Sequence, residues 1–180
     1  MVQQIPLGKE RFALVDDVDF DRFKDTQWFL SRTGYAVGLI PQDGRFRLVY
    51  MHRLVIGAEP DALVDHINAD TLDNRRSNLR LATPEQNGQN KQLNPLSETQ
   101  LKGVGWHKRR RKYHARIQLQ GMRYHLGFFV DAETAALTYD AAARLLFGAY
   151  ARCNYPDRET PTAVQQRVIE RLAKRGLKVG

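Results

Sequence analysis

Apolar positions along the chain change period several times, and each change marks an element. Up to about Tyr50 the apolar runs are short, Phe12-Ala13-Leu14-Val15, Trp28-Phe29-Leu30 and Tyr35-Ala36-Val37, with polar stretches between them. With Gly34 and Asp43-Gly44 as turn signals, this region reads as short strands around a brief helix. Leu63-Val64-Asp65-His66-Ile67 is a strand-length run that enters a turn at Asn68-Ala69-Asp70. After Asn74-Arg75-Arg76-Ser77-Asn78, Leu79-Arg80-Leu81-Ala82 returns as a second strand. Thr83-Pro84-Glu85-Gln86 then starts a helix, with a capping Thr, a Pro at the first helical position and a Gln at the third. The unit is strand, loop, strand, helix.

The stretch from Gly88 to Gln100 is polar and turn-rich and reads as a linker. Beyond it, Gly103-Val104-Gly105-Trp106-His107 opens a set of three strands, with turns at Arg109-Arg110-Arg111 and Gln120-Gly121. In the second strand Tyr113, Ala115, Ile117 and Leu119 alternate with His114, Arg116 and Gln118; in the third, Tyr124, Leu126 and Phe128 alternate with Arg123 and His125. One face is apolar and the other polar and basic. A helix capped by Asp131 runs through Ala135-Ala136-Leu137-Thr138-Tyr139 toward Gly148, its small residues suited to close packing on the apolar face. Trp106, which shares parity with Val104, is expected in the core, as are Tyr139 and Phe147. A last helix starts at Thr160-Pro161, with Val164, Val168 and Leu172 at helical spacing, ends near Gly176 and is expected to pack on the neighbouring domain.

Composition narrows the function classes. No apolar run approaches the roughly 18–20 residues of a membrane span, so no membrane partner is expected. Met1 to Leu7 carries no leader pattern, which points to a cytoplasmic protein. The single cysteine, Cys153, excludes an intramolecular disulfide and a zinc site built from several thiolates. Any metal falls to His, Asp, Asn or Glu. The net charge of +8 suits a polyanion but does not by itself separate DNA from RNA or an acidic membrane. The charge is concentrated: from Leu101 to His125 there is no acid, while Lys102, Lys108, Arg109, Arg110, Arg111, Lys112, Arg116 and Arg123 are basic.

The Asp65-His66 pair at the end of a strand, with Asn87 on the following helix able to face it, is a layout that can hold one divalent ion between strand and helix. From His52 to about Asn90 these residues resemble the HNH nuclease family, in particular phage-type homing and nicking endonucleases, in which an Asp-His or Asn-His pair precedes a Thr-Pro-x-x-Asn helix. The resemblance implies that His66 acts as general base on a water and that Asp65 and Asn87 bind the metal. It also implies that Asn78 fixes the hairpin loop and orients the histidine. Phosphodiester hydrolysis needs a base that titrates near neutrality and a cation to offset charge on the phosphate and leaving oxygen. Carboxylate and amide oxygens suit Mg²⁺, with Mn²⁺ as a substitute. Asn87 and Lys91 stand where other members have a pair of histidines, which argues against zinc or nickel. His52 matches the His-Arg-Leu opening of the family and receives no catalytic step. The N-terminal segment resembles the one that often precedes the HNH core and is assigned to the same folding unit.

The free face of the second half, His114, Arg116, Gln118, Arg123 and His125, suits an exposed sheet that enters the major groove and reads base edges. Lys102, His107, Lys108, Arg109, Arg110, Arg111 and Lys112 complete the expected DNA contacts, the lysines and the arginine run mainly on phosphates. Gly103 to Pro156, with Tyr124-His125-Leu126-Gly127-Phe128-Phe129, Tyr139-Asp140-Ala141-Ala142 and Asn154-Tyr155-Pro156, resembles the Apetala-two (AP2/ERF, ethylene-response-factor type) domain. That family implies a three-stranded antiparallel sheet on one helix, with DNA contacts from the sheet. Gly105 departs from it, standing where plant members often place a DNA-contacting Arg.

Together these readings predict an α+β chain. An HNH ββα-metal core with a β-rich N-terminal extension takes residues 1–91, a linker 92–101, an AP2/ERF-like DNA-binding domain 102–156, and a C-terminal helix and tail 157–180. The expected function is a site-directed, phage-borne or mobile DNA endonuclease of homing or nicking type that uses a single divalent metal. Double-stranded DNA is its partner, no small-molecule substrate is foreseen, and the protein is a monomer or weak dimer. The alternatives are a non-catalytic sequence-specific transcriptional regulator using the same basic sheet, or a structure-directed nuclease or RNA-binding protein.

Overall fold

A computed structural model describes residues 1–42, 44–91, 93 and 97–177. Asp43 of the expected Asp43-Gly44 turn, and Gln92, Asn94, Pro95 and Leu96 of the expected linker, lie outside the described residues. The chain forms two compact units, Met1–Asn87 and Gly88–Gly180. Among the described residues no helix is long and apolar enough to cross a membrane.

The first unit is a series of small antiparallel sheets. Strands β1 (Val2–Pro6) and β2 (Phe12–Asp16) form a hairpin, followed by helix α1 (Asp17–Phe23). Strands β3 (Trp28–Leu30), β4 (Ala36–Gln42) and β5 (Arg45–Tyr50) make a three-stranded sheet in chain order. Helix α2 (Met51–Ile56), which the apolar pattern did not signal, ends at Gly57 in the left-handed region. Strands β6 (Leu63–His66) and β7 (Leu79–Ala82) pair as a second hairpin, with a 3₁₀ turn at Arg76–Asn78 before β7. Helix α3 (Pro84–Gln89) follows.

The start of α3 is a reciprocal capping box: Gln86 N–H donates to Thr83 Oγ1 at 3.2 Å and Thr83 N–H to Gln86 Oε1 at 2.8 Å. Alternation on β2 sends Ala13 and Val15 inward, where they join Ile5, Phe23, Trp28, Met51, Val55 and Leu79 in one core. Trp28 is buried with its indole N–H on the Phe23 carbonyl at 3.0 Å, and Gly38 leaves it room, since a Cβ there would lie 2.9 Å from the indole ring.

Two contacts tie this core to the β6–β7 loop. Leu14 on β2 meets the loop in a single parallel bridge opposite Asp73, with Leu14 N–H on Leu72 O and Asn74 N–H on Leu14 O, both at 2.8 Å. Asp19 on α1, fully buried, accepts from Arg76 Nε at 2.7 Å and Nη2 at 2.8 Å. The N-terminal segment is therefore a scaffold for that loop.

The second unit is a three-stranded antiparallel sheet of β8 (Val104–His107), β9 (Lys112–Leu119) and β10 (Met122–Phe129), with β9 central. Helix α4 (Ala132–Phe147), capped by Asp131 accepting from Thr134 N–H, packs on the sheet. Helix α5 (Thr162–Ala173) packs on α4 and β10, and its Val168 and Leu172 belong to the same core as Val104, Ile117, Leu126, Tyr139 and Phe147. It is thus part of this unit's core. Buried Asp140 accepts from the N–H groups of Asn154 and Tyr155, while Asn154 brackets the backbone of Lys102, so the closing segment is sewn to the opening one.

One sequence expectation fails on β10. The register jumps between His125 and Gly127, a β-bulge at Leu126 that reverses the alternation beyond it. Leu126 stays in the core, but Phe128 pairs across from His114 and lies against the rings of His107, His114 and His125; Phe129 takes the core position instead.

In the β6–β7 loop Ala69 sits at φ 63°, a left-handed conformation that disfavours a Cβ. Ala69→Gly is expected to raise unfolding stability by about 0.5–1 kcal/mol, the relief of strain less the glycine entropy. Urea denaturation checks this, and a destabilised variant would contradict it.

Candidate functional site

His66, at the end of β6, is buried. Its Nε2 lies 3.2 Å from Asn74 Oδ1. Asn74 has no exposed surface; its Nδ2 donates to Leu72 O at 3.2 Å and its N–H to Leu14 O at 2.8 Å, which leaves Oδ1 toward the imidazole. A carbonyl oxygen facing Nε2 requires that nitrogen to carry the proton, so Nδ1 keeps the basic lone pair. Burial lowers the His66 pKa below its ordinary 6.5, opposed by the Asn74 bond and by Asp65, Asp70 and Asp73. The ring is neutral at neutral pH and able to accept a proton.

The His66 ring also meets Tyr35 and His52, with centroids at 5.9 and 5.2 Å, and the His52 ring stands nearly perpendicular to it. His52 is buried on α2 against Tyr35 and Tyr50, and among the described residues its Nδ1 has no hydrogen-bond partner. Burial, then the neighbouring His66, pushes its pKa down to about 3.

Asp65 and His66 alternate across the strand. Asp65 is buried and meets its cross-strand partner Arg80, whose Nε and Nη2 donate to Oδ2 at 2.8 and 2.7 Å. Asn78 stitches the loop together: its Oδ1 accepts from Asn68 N–H at 2.9 Å and its Nδ2 donates to the Asp73 carbonyl at 2.7 Å. These bonds lie within the loop, and the amide on the His66 ring is that of Asn74, which no local sequence signal singles out. Asp73, clamped by Arg75 and by Asn68 Nδ2, completes the loop. Asn87 lies half-buried on α3.

The segment that carries these residues matches a family model described as HNH endonuclease over residues 49–89. A relative covering most of the chain extends the match: an uncharacterised HNH endonuclease of Acanthamoeba polyphaga mimivirus is 34% identical over 158 residues, 83% of this chain and 78% of that protein. The chain belongs to the HNH endonuclease family. Protein 3.8 of Escherichia phage T7 is also similar, 30% identical over 89 residues, 49% of this chain and 73% of that protein. No solved structure matches. The protein is therefore a nuclease of a family that acts on DNA and generally uses a divalent metal ion, and nothing supports the reading as a non-catalytic regulator.

The donor set limits which metal the segment can hold. Among the described residues no three of His, Cys, Asp or Glu gather as a metal cluster, so a closed zinc-type cage is absent from them. Asp65 on β6, with Oδ2 bonded to Arg80, and Asn87 on α3 offer carboxylate and amide oxygens, the donor type that a hard divalent ion takes. The residues present fit such an ion.

In the C-terminal unit, His114, Arg116, Gln118, Arg123 and His125 share the face opposite α4, joined by His107 and Phe128. Arg110 lies over the Phe128 ring at 4.7 Å, and Lys108, Arg109, Arg111 and Lys112 are exposed. Burial and then Arg116 lower the pKa of both His114 and His125. The glycine at 105 has a local cause: a Cβ there would lie 2.8 Å from His114 Nε2, so the imidazole occupies the space of a side chain. Lys102 departs from the expected phosphate contact. Its ammonium is half-buried and donates to the carbonyls of Gln89 and Lys91, with its pKa pushed down to about 8 mainly by burial.

His52 makes a pH prediction. In the unfolded chain it titrates near 6.5 and in the folded chain near 3, so between those values the unfolded state binds a proton that the folded state refuses. Stability therefore falls as pH drops from about 6.5 toward 3. His52→Phe should flatten this part of the stability–pH curve measured by urea denaturation; identical slopes for the two proteins would contradict the assignment.

Proposed function

We propose that the protein is a site-directed DNA endonuclease, of homing or nicking type, that hydrolyses one phosphodiester with a single divalent ion. The observation that carries this reading is the buried neutral His66, held through Nε2 by Asn74 within the HNH segment. In this reading Nδ1 of His66 takes a proton from a water as its oxygen bonds to phosphorus. The P–O3′ bond breaks, leaving a 5′-phosphate and a 3′-oxygen that is protonated from solvent. Asp65 and Asn87 would hold the ion, Mg²⁺ or in its place Mn²⁺, which supplies positive charge beside the phosphate and the leaving oxygen. Asn78 keeps the loop in the shape that presents Asn74 to the histidine. Arg80 fixes the Asp65 carboxylate across the hairpin.

The C-terminal unit is proposed as an AP2/ERF-like reader of double-stranded DNA. The sheet on α4 with a face of Arg116, Gln118, Arg123, His114 and His125 supports this. Such a face offers donors and acceptors to base edges in the major groove, while Lys108 to Lys112 serve phosphates. Lys102 is withdrawn from the contact set. A monomer with one active site cuts one strand per encounter, which favours nicking.

Purified protein should convert supercoiled plasmid or a randomised duplex library to cut products with Mg²⁺ or Mn²⁺ and not with EDTA. His66→Ala should lose about 10²–10⁴ in rate while duplex binding persists. Normal cutting by His66→Ala would overturn the assignment of the base. Tight binding without cutting, under every metal and across the library, would overturn the proposed chemistry at this site.

A further inference from the structure

Helix α5 has two unlike edges. Val168 and Leu172 are buried in the core, whereas Arg167 and Arg171 are exposed on the helix and Arg175 is exposed in the turn that closes it. A spacing of four residues puts Arg167 and Arg171 along one edge of the helix, and Arg175 follows four residues on, in the turn after it. That edge borders the last strand of the basic sheet. Arg171 Nη1 donates to the Leu126 carbonyl at the bulge, and Arg167 and Arg171 line a groove together with Phe128. Gly127, at φ 141°, leaves the space that the Arg171 guanidinium fills. Among the described residues none of the three arginines makes an ion pair with an acid. Arg171 and Arg175 add to Arg116 and Arg110 in lowering the His125 pKa, so these cations bear on the same part of the sheet. Like charges gathered without counter-charges cost free energy in the unliganded protein, a cost that a polyanion relieves.

We propose that α5 is a second DNA-contacting element of the C-terminal unit: the edge of Arg167, Arg171 and Arg175 continues the basic face past β10 and binds phosphates of the duplex flanking the site on the sheet. This rests on the reading of the sheet as a duplex-binding face. Arg171 also anchors the bulge that presents Phe128, so the variants that isolate phosphate binding are at the other two positions.

The test is the salt dependence of duplex affinity for the full chain in EDTA, read by fluorescence anisotropy, for wild type, Arg167→Gln/Arg175→Gln and Arg116→Gln. Thermal melting checks that all three are folded. Removing one arginine–phosphate pair lowers the slope of log affinity against log salt by about 0.9, so the slope of the double variant should be shallower by about 1.8. It should also bind at least about tenfold more weakly at low salt, where the backbone contacts count most. An unchanged slope and affinity in the double variant, with binding weakened by Arg116→Gln, would sink the role of α5 and leave the sheet reading intact. Duplex binding indifferent to both variants would overturn the sheet reading and this inference with it.

Discussion

The β6–β7 hairpin depends on one buried amide. Asn74 lies within a loop that has little regular structure, so its side chain would have many orientations to choose from. Its backbone is fixed by a parallel bridge to β2, where Leu14 bonds to Leu72 O and Asn74 N–H. Its side chain is fixed because Leu72 O takes the Nδ2 donor. What remains is a carbonyl oxygen facing His66 Nε2, and a buried acceptor in that position is costly to leave unpaired. The tautomer of the imidazole is thereby set by a hairpin more than fifty residues earlier in the chain. The N-terminal extension, the Asp19–Arg76 pair and the Asn78 stitches all serve that geometry.

The C-terminal unit solves a different problem with a similar device. A sheet that alternates perfectly would bury Phe128 and leave a face of imidazoles and arginines with nothing apolar among them. The bulge at Leu126 turns Phe128 outward, where it packs against three histidines and carries the Arg110 guanidinium. The bulge carbonyl is satisfied by Arg171 from α5, so a helix outside the sheet sets the composition of its exposed face.

Local signals were legible in the sequence, and contacts between distant segments were not. The β6–β7 hairpin, the Thr83–Gln86 capping box and the Asp131 cap depend on residues within a few positions of each other, and their side-chain chemistry announces them. Asn74 was hidden because the loop contains several Asx residues, and only its pairing with Leu14 distinguishes it from Asn78. Helix α2 was missed because it has six residues and owes its stability to burial of Met51 and Val55. Tyr124, Leu126 and Phe128 alternate without interruption in the sequence, and Gly127 is the sole local hint of the bulge. Lys102 has the residue type of a phosphate contact, but charge alone does not tell which way a lysine turns, and here it turns to carbonyls.

The most direct test of this account is the protonation state of the His66 ring, read from ¹⁵N imidazole shifts at neutral pH in the metal-free protein. The account predicts a neutral ring with the proton on Nε2 and the lone pair on Nδ1, a preference that Asn74→Ala weakens. A ring protonated on Nδ1, or one whose tautomer ignores Asn74→Ala, would contradict it.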